Sequence, residues 1–199
     1  IAVTKTFSYS AIKSSEKNNI FNIGENKVQE TKNKIKDKTK NKQTQIHFIG
    51  NLQSNKVNLA VSLYDVIQSV DSEKILKKIN NAAKKKNKKQ KIFLQLKINN
   101  EPNQKGANKK EIKKLIKTAQ QLSNVKTIGL MSIGPNTKDE KKIIKSFSFA
   151  KKTQEEIRKI ETNCSRLSIG MSNDYVLALK AGATDLRIGT SLFEKRNEK

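Results

Sequence analysis

Apolar, β-branched runs of strand length recur along the chain at regular intervals. The first four are IAVTK (1–5), NIFNIGE (19–25), QIHFIG (45–50) and YDVIQSV (64–70). KIFLQLKIN (91–99), TIGLMSI (127–133), RLSIGM (166–171) and DLRIGT (185–190) complete the series. Their length and residue types predict eight strands. Between them the apolar spacing turns helical: Ile75, Leu76 and Ile79; Ile112, Leu115 and Ile116; Ile143, Ile144 and Phe147, continued by Ile157 and Ile160. Asp71 or Ser72 is placed to cap the fourth helix, with Glu73 at the positive end of its dipole. Asn51, Gln53 and Asn55 read as residues that cap and orient the third. Pro102 and Pro135 both fall in strand-to-helix connections.

Eight strands, each followed by a helical segment, is the count of an α/β, (β/α)8 TIM barrel, here a single domain over residues 1–199. An open doubly wound sheet is the rival, but it usually has fewer strands and a glycine-rich first turn, which this sequence lacks.

Charge tests that picture. A net charge of +24 first suggests a nucleic-acid-binding protein. Yet 38 of the 42 basic residues are lysine, and the four arginines are Arg158, Arg166, Arg187 and Arg196. Readers of phosphate and base edges favour the planar fork of arginine. Aromatics are 5% of the chain, without Trp, and no basic run interleaves them as a stacking platform would. Specific nucleic-acid binding therefore remains an alternative carried by charge alone. Lysine-rich stretches such as NKIKDKTKNK and AAKKKNKKQK read as exposed ends of outer helices. Cys164 is the only cysteine, which excludes an internal disulfide and points to a reducing compartment, the cytoplasm. It reads as inert. No apolar stretch approaches the roughly 20 residues of a membrane-spanning helix. There is no signal-peptide pattern, and a first run that begins at residue 1 predicts a segment upstream.

In a barrel of this kind the site gathers at the C-terminal ends of the strands, with phosphate often at the loops after strands 7 and 8. Those two ends read GMS and IGT. Each sets a glycine and a nearby hydroxyl at a turn into a helix, where backbone can approach a ligand and free N–H groups favour an anion. Together Gly170, Met171, Ser172, Gly189 and Thr190 make a candidate phosphate cup. Arg187, two residues before Gly189, shares its side of the strand. It serves either the ligand or a carboxylate at the barrel end. Closure makes strand 8 the neighbour of strand 1, so the cup faces Lys5. A lysine desolvated there can form a Schiff base. A lysine, a phosphate cup and a group for a ring nitrogen fit pyridoxal 5′-phosphate (PLP). Asn26 ends strand 2. His47 lies within strand 3, as a ligand group or as a satisfied core histidine.

The motifs resemble those of the pyridoxal phosphate homeostasis proteins, relatives of the barrel domain of alanine racemase. AVTKT is similar to their cofactor-lysine strand, IGENKVQE to their second-strand motif and HFIGNLQSNK to their most recognisable signature. GLMSI, LSIGMSND and RIGTSLF resemble the later motifs, in order. The resemblance implies a fold-type III PLP barrel that carries the cofactor as a Schiff base on Lys5 and serves intracellular PLP homeostasis. It implies a phosphate held around Ser172, Gly189 and Thr190, with Met171 adjacent, and Arg187 at the pyridine nitrogen. Asn26, His47 and Ser168 would line the pocket. Its implied partners are PLP and apo PLP-dependent enzymes, and its implied state is a monomer. An arginine at the ring nitrogen makes a poorer electron sink, and racemisation needs an acid/base opposite the lysine. In alanine racemase that group is a tyrosine of a second domain; Tyr9, Tyr64 and Tyr175 do not match it by motif. The expectation is a carrier rather than an enzyme, with a racemase-like enzyme as the alternative. The sequence departs from the family in three places. FSYS replaces a second lysine and a proline after the cofactor lysine, the acidic pair after GMS is Asn173–Asp174, and the leading helix before the first strand is missing.

Overall fold

The computed structural model describes residues 1–36, 38–39, 41–99, 101 and 104–193. Eight strands form one parallel sheet in sequence order. They are β1 (Ala2–Val3), β2 (Asn22–Glu25), β3 (Gln45–Phe48), β4 (Val66–Val70), β5 (Gln90–Gln95), β6 (Val125–Met131), β7 (Arg166–Met171) and β8 (Asp185–Arg187). The helices between them are α1 (Tyr9–Lys17), α2 (Val28–Ile35), α3 (Val57–Leu63), α4 (Glu73–Lys84), α5 (Lys109–Gln120), α6 (Glu140–Arg158) and α7 (Tyr175–Lys180). The sheet closes on itself. Ala2 bridges Ile188 in parallel, Val3 N–H donates to Ile188 O at 2.8 Å, and Ile188 N–H to Ile1 O at 3.0 Å. The eighth helical segment lies largely outside the described residues, as does Pro102. Residues 190–193 form a turn in which Leu192 and Phe193 donate back to Gly189 O.

The core is a shell between barrel and helices. On α4, Ile75, Leu76, Ile79 and Ala83 are buried, and on α5, Ile112, Leu115, Ile116 and Ala119. That is the i, i+3, i+4 stripe which makes a helix stick to a sheet. A smaller cluster of Val66, Phe93, Ile128 and Met131 packs separately from that shell. Beside it Arg166 stacks over Phe93 and pairs with Asp185. Cys164 is fully buried, and burial pushes its thiol up to about 12, so it is not a reactive thiolate. Among the described residues no helix is long and apolar enough to cross a membrane.

Several local expectations are corrected. Ile144 and Ile160 are 42% and 45% exposed, because α6 turns only its Ile143, Phe147 and Ile157 stripe inward and ends at Arg158. Ser72 holds the N-cap position of α4, but its side chain makes no capping bond. The N-cap of α3 is Lys56, not Asn51, Gln53 or Asn55. The capping box is instead on α5, where Asn108 and Glu111 satisfy each other's backbone N–H groups. The lysine-rich stretches are mostly exposed, but Lys88 is half-buried on the Val61 and Tyr64 carbonyls. Lys34 is buried, with 5% of its side chain accessible, against the Glu25 carboxylate at 2.7 Å.

Candidate functional site

The C-terminal ends of the strands open onto a cavity of about 280 Å³. β1 contributes Val3 and the following Lys5. Ile49, Met131 and Ile133 form an apolar wall after β3 and β6. Met171 to Asp174 follow β7, and Arg187, Gly189 and Thr190 come from β8. A groove of about 550 Å³ lies elsewhere, lined by residues including Lys97, Lys109, Lys145 and Phe149. It brings together mostly lysines and lies away from the ends of β7, β8 and β1, so the smaller cavity at those strand ends is the better site despite its size.

Lys5 stands on a backbone gripped from outside. α2 presents Glu30 and Lys34 one turn apart, on one face of the helix. Glu30 Oε1 accepts the Thr6 N–H at 3.0 Å, and Lys34 Nζ donates to the Thr4 carbonyl at 2.8 Å. The two contacts bracket Lys5. Thr4 also donates its hydroxyl proton to Glu25 at 2.6 Å, beneath the buried Lys34–Glu25 pair. Thr6 has φ 70°, a left-handed conformation that is costly for a β-branched residue. The clasp holds it there and so turns the chain sharply after Lys5.

Opposite Lys5, Ser172 Oγ receives the amides of Gly189 and Ser191 at 3.3 and 3.4 Å. Backbone donors from the exit of β8 and a hydroxyl from the exit of β7 thus face a common point. Gly189 matters for access: a Cβ there would stand 3.4 Å from Val3 Cβ, in the approach between β8 and β1. The Gly189 and Ser191 amides and the Ser172 hydroxyl, with a glycine at the lip, fit a phosphate, while the nearby Asp174 carboxylate is taken by the Met171 amide.

Arg187 is 5% exposed. Its Nη1 donates to the Ser168 carbonyl and hydroxyl at 2.8 and 2.7 Å, and its Nη2 to the Ser132 carbonyl at 2.8 Å. Among the described residues no carboxylate comes within ion-pair distance of it. Neutral acceptors therefore orient the guanidinium, and the Asp174 and Asp185 charges act on it only from beyond ion-pair distance. Burial lowers its pKa to about 10, with the charges of Asp174 and Asp185 acting the other way, so it stays protonated at neutral pH. The Asp174 carboxylate lines the cavity and accepts the Met171 N–H at 2.6 Å.

Four residues expected at the site lie off the cavity surface. Gly170, at φ 88°, is turned toward α7, where a Cβ would meet Ala178 Cβ at 2.4 Å. Asn26 packs its backbone under Gly50, and its side-chain oxygen is buried without a hydrogen-bond partner. Ser168 sits behind Arg187. His47 is fully buried inside the barrel, its Nε2 3.0 Å from Asn22 Oδ1 and its Nδ1 2.9 Å from Gln68 Nε2. Burial, helped by the Arg166 charge, lowers its pKa to about 3, so it is a neutral core histidine. Tyr9, Tyr64 and Tyr175 do not line the cavity; Tyr64 is buried with its hydroxyl on Thr31 at 2.7 Å. Sequence reading missed Gln68, Glu30 and Lys34. A buried-strand glutamine and two helix-face charges carry no local signal that separates them from solvated neighbours.

The chain belongs to the family of the alanine racemase N-terminal domain, whose model matches residues 1–196. Within that family its near relatives are pyridoxal phosphate homeostasis proteins. That of Aquifex aeolicus (strain VF5) is 33% identical over 174 residues, 87% of this chain and 76% of the relative. Among solved structures, PipY of Synechococcus elongatus PCC7942 without PLP is 32% identical, with a TM-score of 0.92 over 96% of this chain and 90% of that one. The same protein with PLP bound aligns at 0.89 over 97% and 91%. Alanine racemase of Clostridium difficile 630 shares the fold, with a TM-score of 0.75 at 16% identity over 100% of this chain and 51% of its own. The family read from the motifs and the barrel read from the strand count are therefore both correct.

Proposed function

We propose that the protein binds PLP and serves its homeostasis, as a barrel domain over residues 1–199 that carries the cofactor without turning it over. One observation carries this reading: Lys5, the Ser172–Gly189–Thr190 cup and Arg187 converge on a single cavity across the β8–β1 join. Bound PLP supplies an aldehyde that a lysine amine can capture and a phosphate that must be held. Lys5 would hold the first, and Ser172, Thr190 and the amides of Gly189 and Ser191 the second. Arg187 would face the ring nitrogen, keeping its own proton and donating a hydrogen bond. The Ile49–Met131–Ile133 wall would lie against the apolar ring. Asn26, His47, Ser168 and Gly170 support these residues from behind.

The relatives are named as homeostasis proteins rather than as enzymes. A racemase would need a proton donor facing Lys5 from the far side of the ring, and the three tyrosines are not in the cavity. Delivery to apo PLP-dependent enzymes, a cytoplasmic location and a monomeric state rest on the family resemblance, the last also on mutual repulsion between copies charged +24. The test is an absorbance titration with PLP followed by borohydride and peptide mapping. The parent should retain PLP on Lys5, and Lys5→Ala should fold but retain none. Equal retention by the variant would overturn the assignment.

A further inference from the structure

Behind Arg187 a single file of polar side chains runs through the barrel, from β8 to β2. Arg187 Nη1 meets Ser168 Oγ, which is 2.8 Å from Gln68 Oε1. Gln68 Nε2 meets His47 Nδ1, and His47 Nε2 meets Asn22 Oδ1. Ser168, Gln68 and His47 are all fully buried. Each direction in the file follows from the first member. A guanidinium can only donate, so Ser168 must offer a lone pair to Arg187 and give its one proton to Gln68. That turns the Gln68 amide nitrogen toward His47, whose Nδ1 must accept. The ring proton is then on Nε2, donated to Asn22.

Resting on the PLP reading of this cavity, we infer that Gln68 is a positioning residue for Arg187. It takes the Ser168 proton and so fixes the hydroxyl oxygen as an acceptor for the guanidinium. Without it, the hydroxyl proton has no acceptor on its far side and turns toward a cation. The guanidinium then loses one of its three anchors and shifts from the ring nitrogen. Polar groups in a barrel interior are expensive to bury, and a row that satisfies every member specifies one arrangement. An apolar residue at position 68 would fill the interior as well; it would not set the hydroxyl.

The experiment compares the parent, Gln68→Leu, Gln68→Glu and Ser168→Ala, all as the full chain, in two measurements. In the ligand-free protein, 15N NMR of arginine side chains reports rotation of the Arg187 guanidinium. We expect restrained rotation in the parent and in Gln68→Glu, which keeps an acceptor for Ser168, and faster rotation in Gln68→Leu and Ser168→Ala. With PLP, Gln68→Leu should bind about tenfold more weakly, the scale of one hydrogen bond to a charged group. Its bound-PLP absorption band should shift, while its affinity for inorganic phosphate, which probes only the cup, stays that of the parent. The Gln68→Leu/Ser168→Ala pair should do no worse than either single change. Unchanged guanidinium rotation in both Gln68→Leu and Ser168→Ala overturns the inference. So does an equal loss of PLP and phosphate accompanied only by a lower melting temperature, which is the mark of a merely structural residue. Should Gln68→Leu fail to fold, Ser168→Ala and Gln68→Glu decide it by the same readouts. A parent that never retains PLP on Lys5 refutes the PLP reading instead, and the ligand-free NMR result stands apart from that failure.

Discussion

Gly170, at the end of β7, and Gly189, just after β8, serve different ends. Gly170 holds a left-handed backbone against α7, so Gly170→Ala adds strain and a collision with Ala178. The expected loss of stability is about 2–4 kcal/mol, read by urea denaturation. Gly189→Ala meets only ordinary contact with Val3, so it should melt within a few degrees of the parent while weakening PLP at the cup; calorimetry and titration separate the two. His47 gives a pH signature. Its pKa is about 3 folded against 6.5 for the ordinary group, so between those values the unfolded chain binds a proton that the folded one refuses. Stability is complete above pH 6.5 and falls as pH drops, by up to about 1.4 kcal/mol per unit. A pH series of denaturation midpoints should show that slope, and His47→Gln should flatten it. At this scale Lys5, Arg187 and the hydroxyl-glycine turns were legible, because their types are scarce or oddly placed on strand tips. The place of His47 was not. Its partners Gln68 and Asn22 come from other strands, and only closure of the barrel brings them together.

Among elements, α2 has the most specific task. Its Glu30–Lys34 face grips the backbone on both sides of Lys5. Lys34→Met removes one partner of a buried pair and leaves the Glu25 carboxylate uncompensated, an expected loss of about 3–5 kcal/mol. Adding Glu25→Gln should recover much of it, because the stranded charge goes with it; a double-mutant cycle on denaturation midpoints checks this. The strands themselves were legible in number and order, yet the starts of β2, β4 and β6 were two or three residues off and several runs were read too long at their C-terminal ends. QIHFIG stops pairing at Phe48, KIFLQLKIN at Gln95 and TIGLMSI at Met131. The residues beyond, such as Ile49, Ile98 and Ile133, are apolar for another reason. Ile49 and Ile133 wall the cavity and Ile98 packs into the shell core, so they leave the ladder without becoming polar. Apolarity alone does not distinguish a paired residue from one that lines a mouth.

For the whole molecule, the decisive feature is where the barrel closes. β1 is two residues long, and its join to β8 rests on few backbone bonds, among them those between Val3 and Ile188 and between Ile188 and Ile1. Strand count predicts that such a join exists, but it says nothing of how slight it is. The first and last strands meet there, and the proposed ligand straddles the gap, with Lys5 on one bank and Ser172 and Thr190 on the other. Loading the cofactor would therefore add a second tie across a join that a few backbone bonds already close. The amides of Val3 and Ile188 should exchange hydrogen faster than those of β4 and β5 in the ligand-free protein, and slow the most when PLP is added, which hydrogen-exchange mass spectrometry can follow. Release would then require no general unfolding. Once water has hydrolysed the bond to Lys5, parting one short hem of the barrel would free the cargo, so the same weakness that makes β1 a poor strand would make it a usable door.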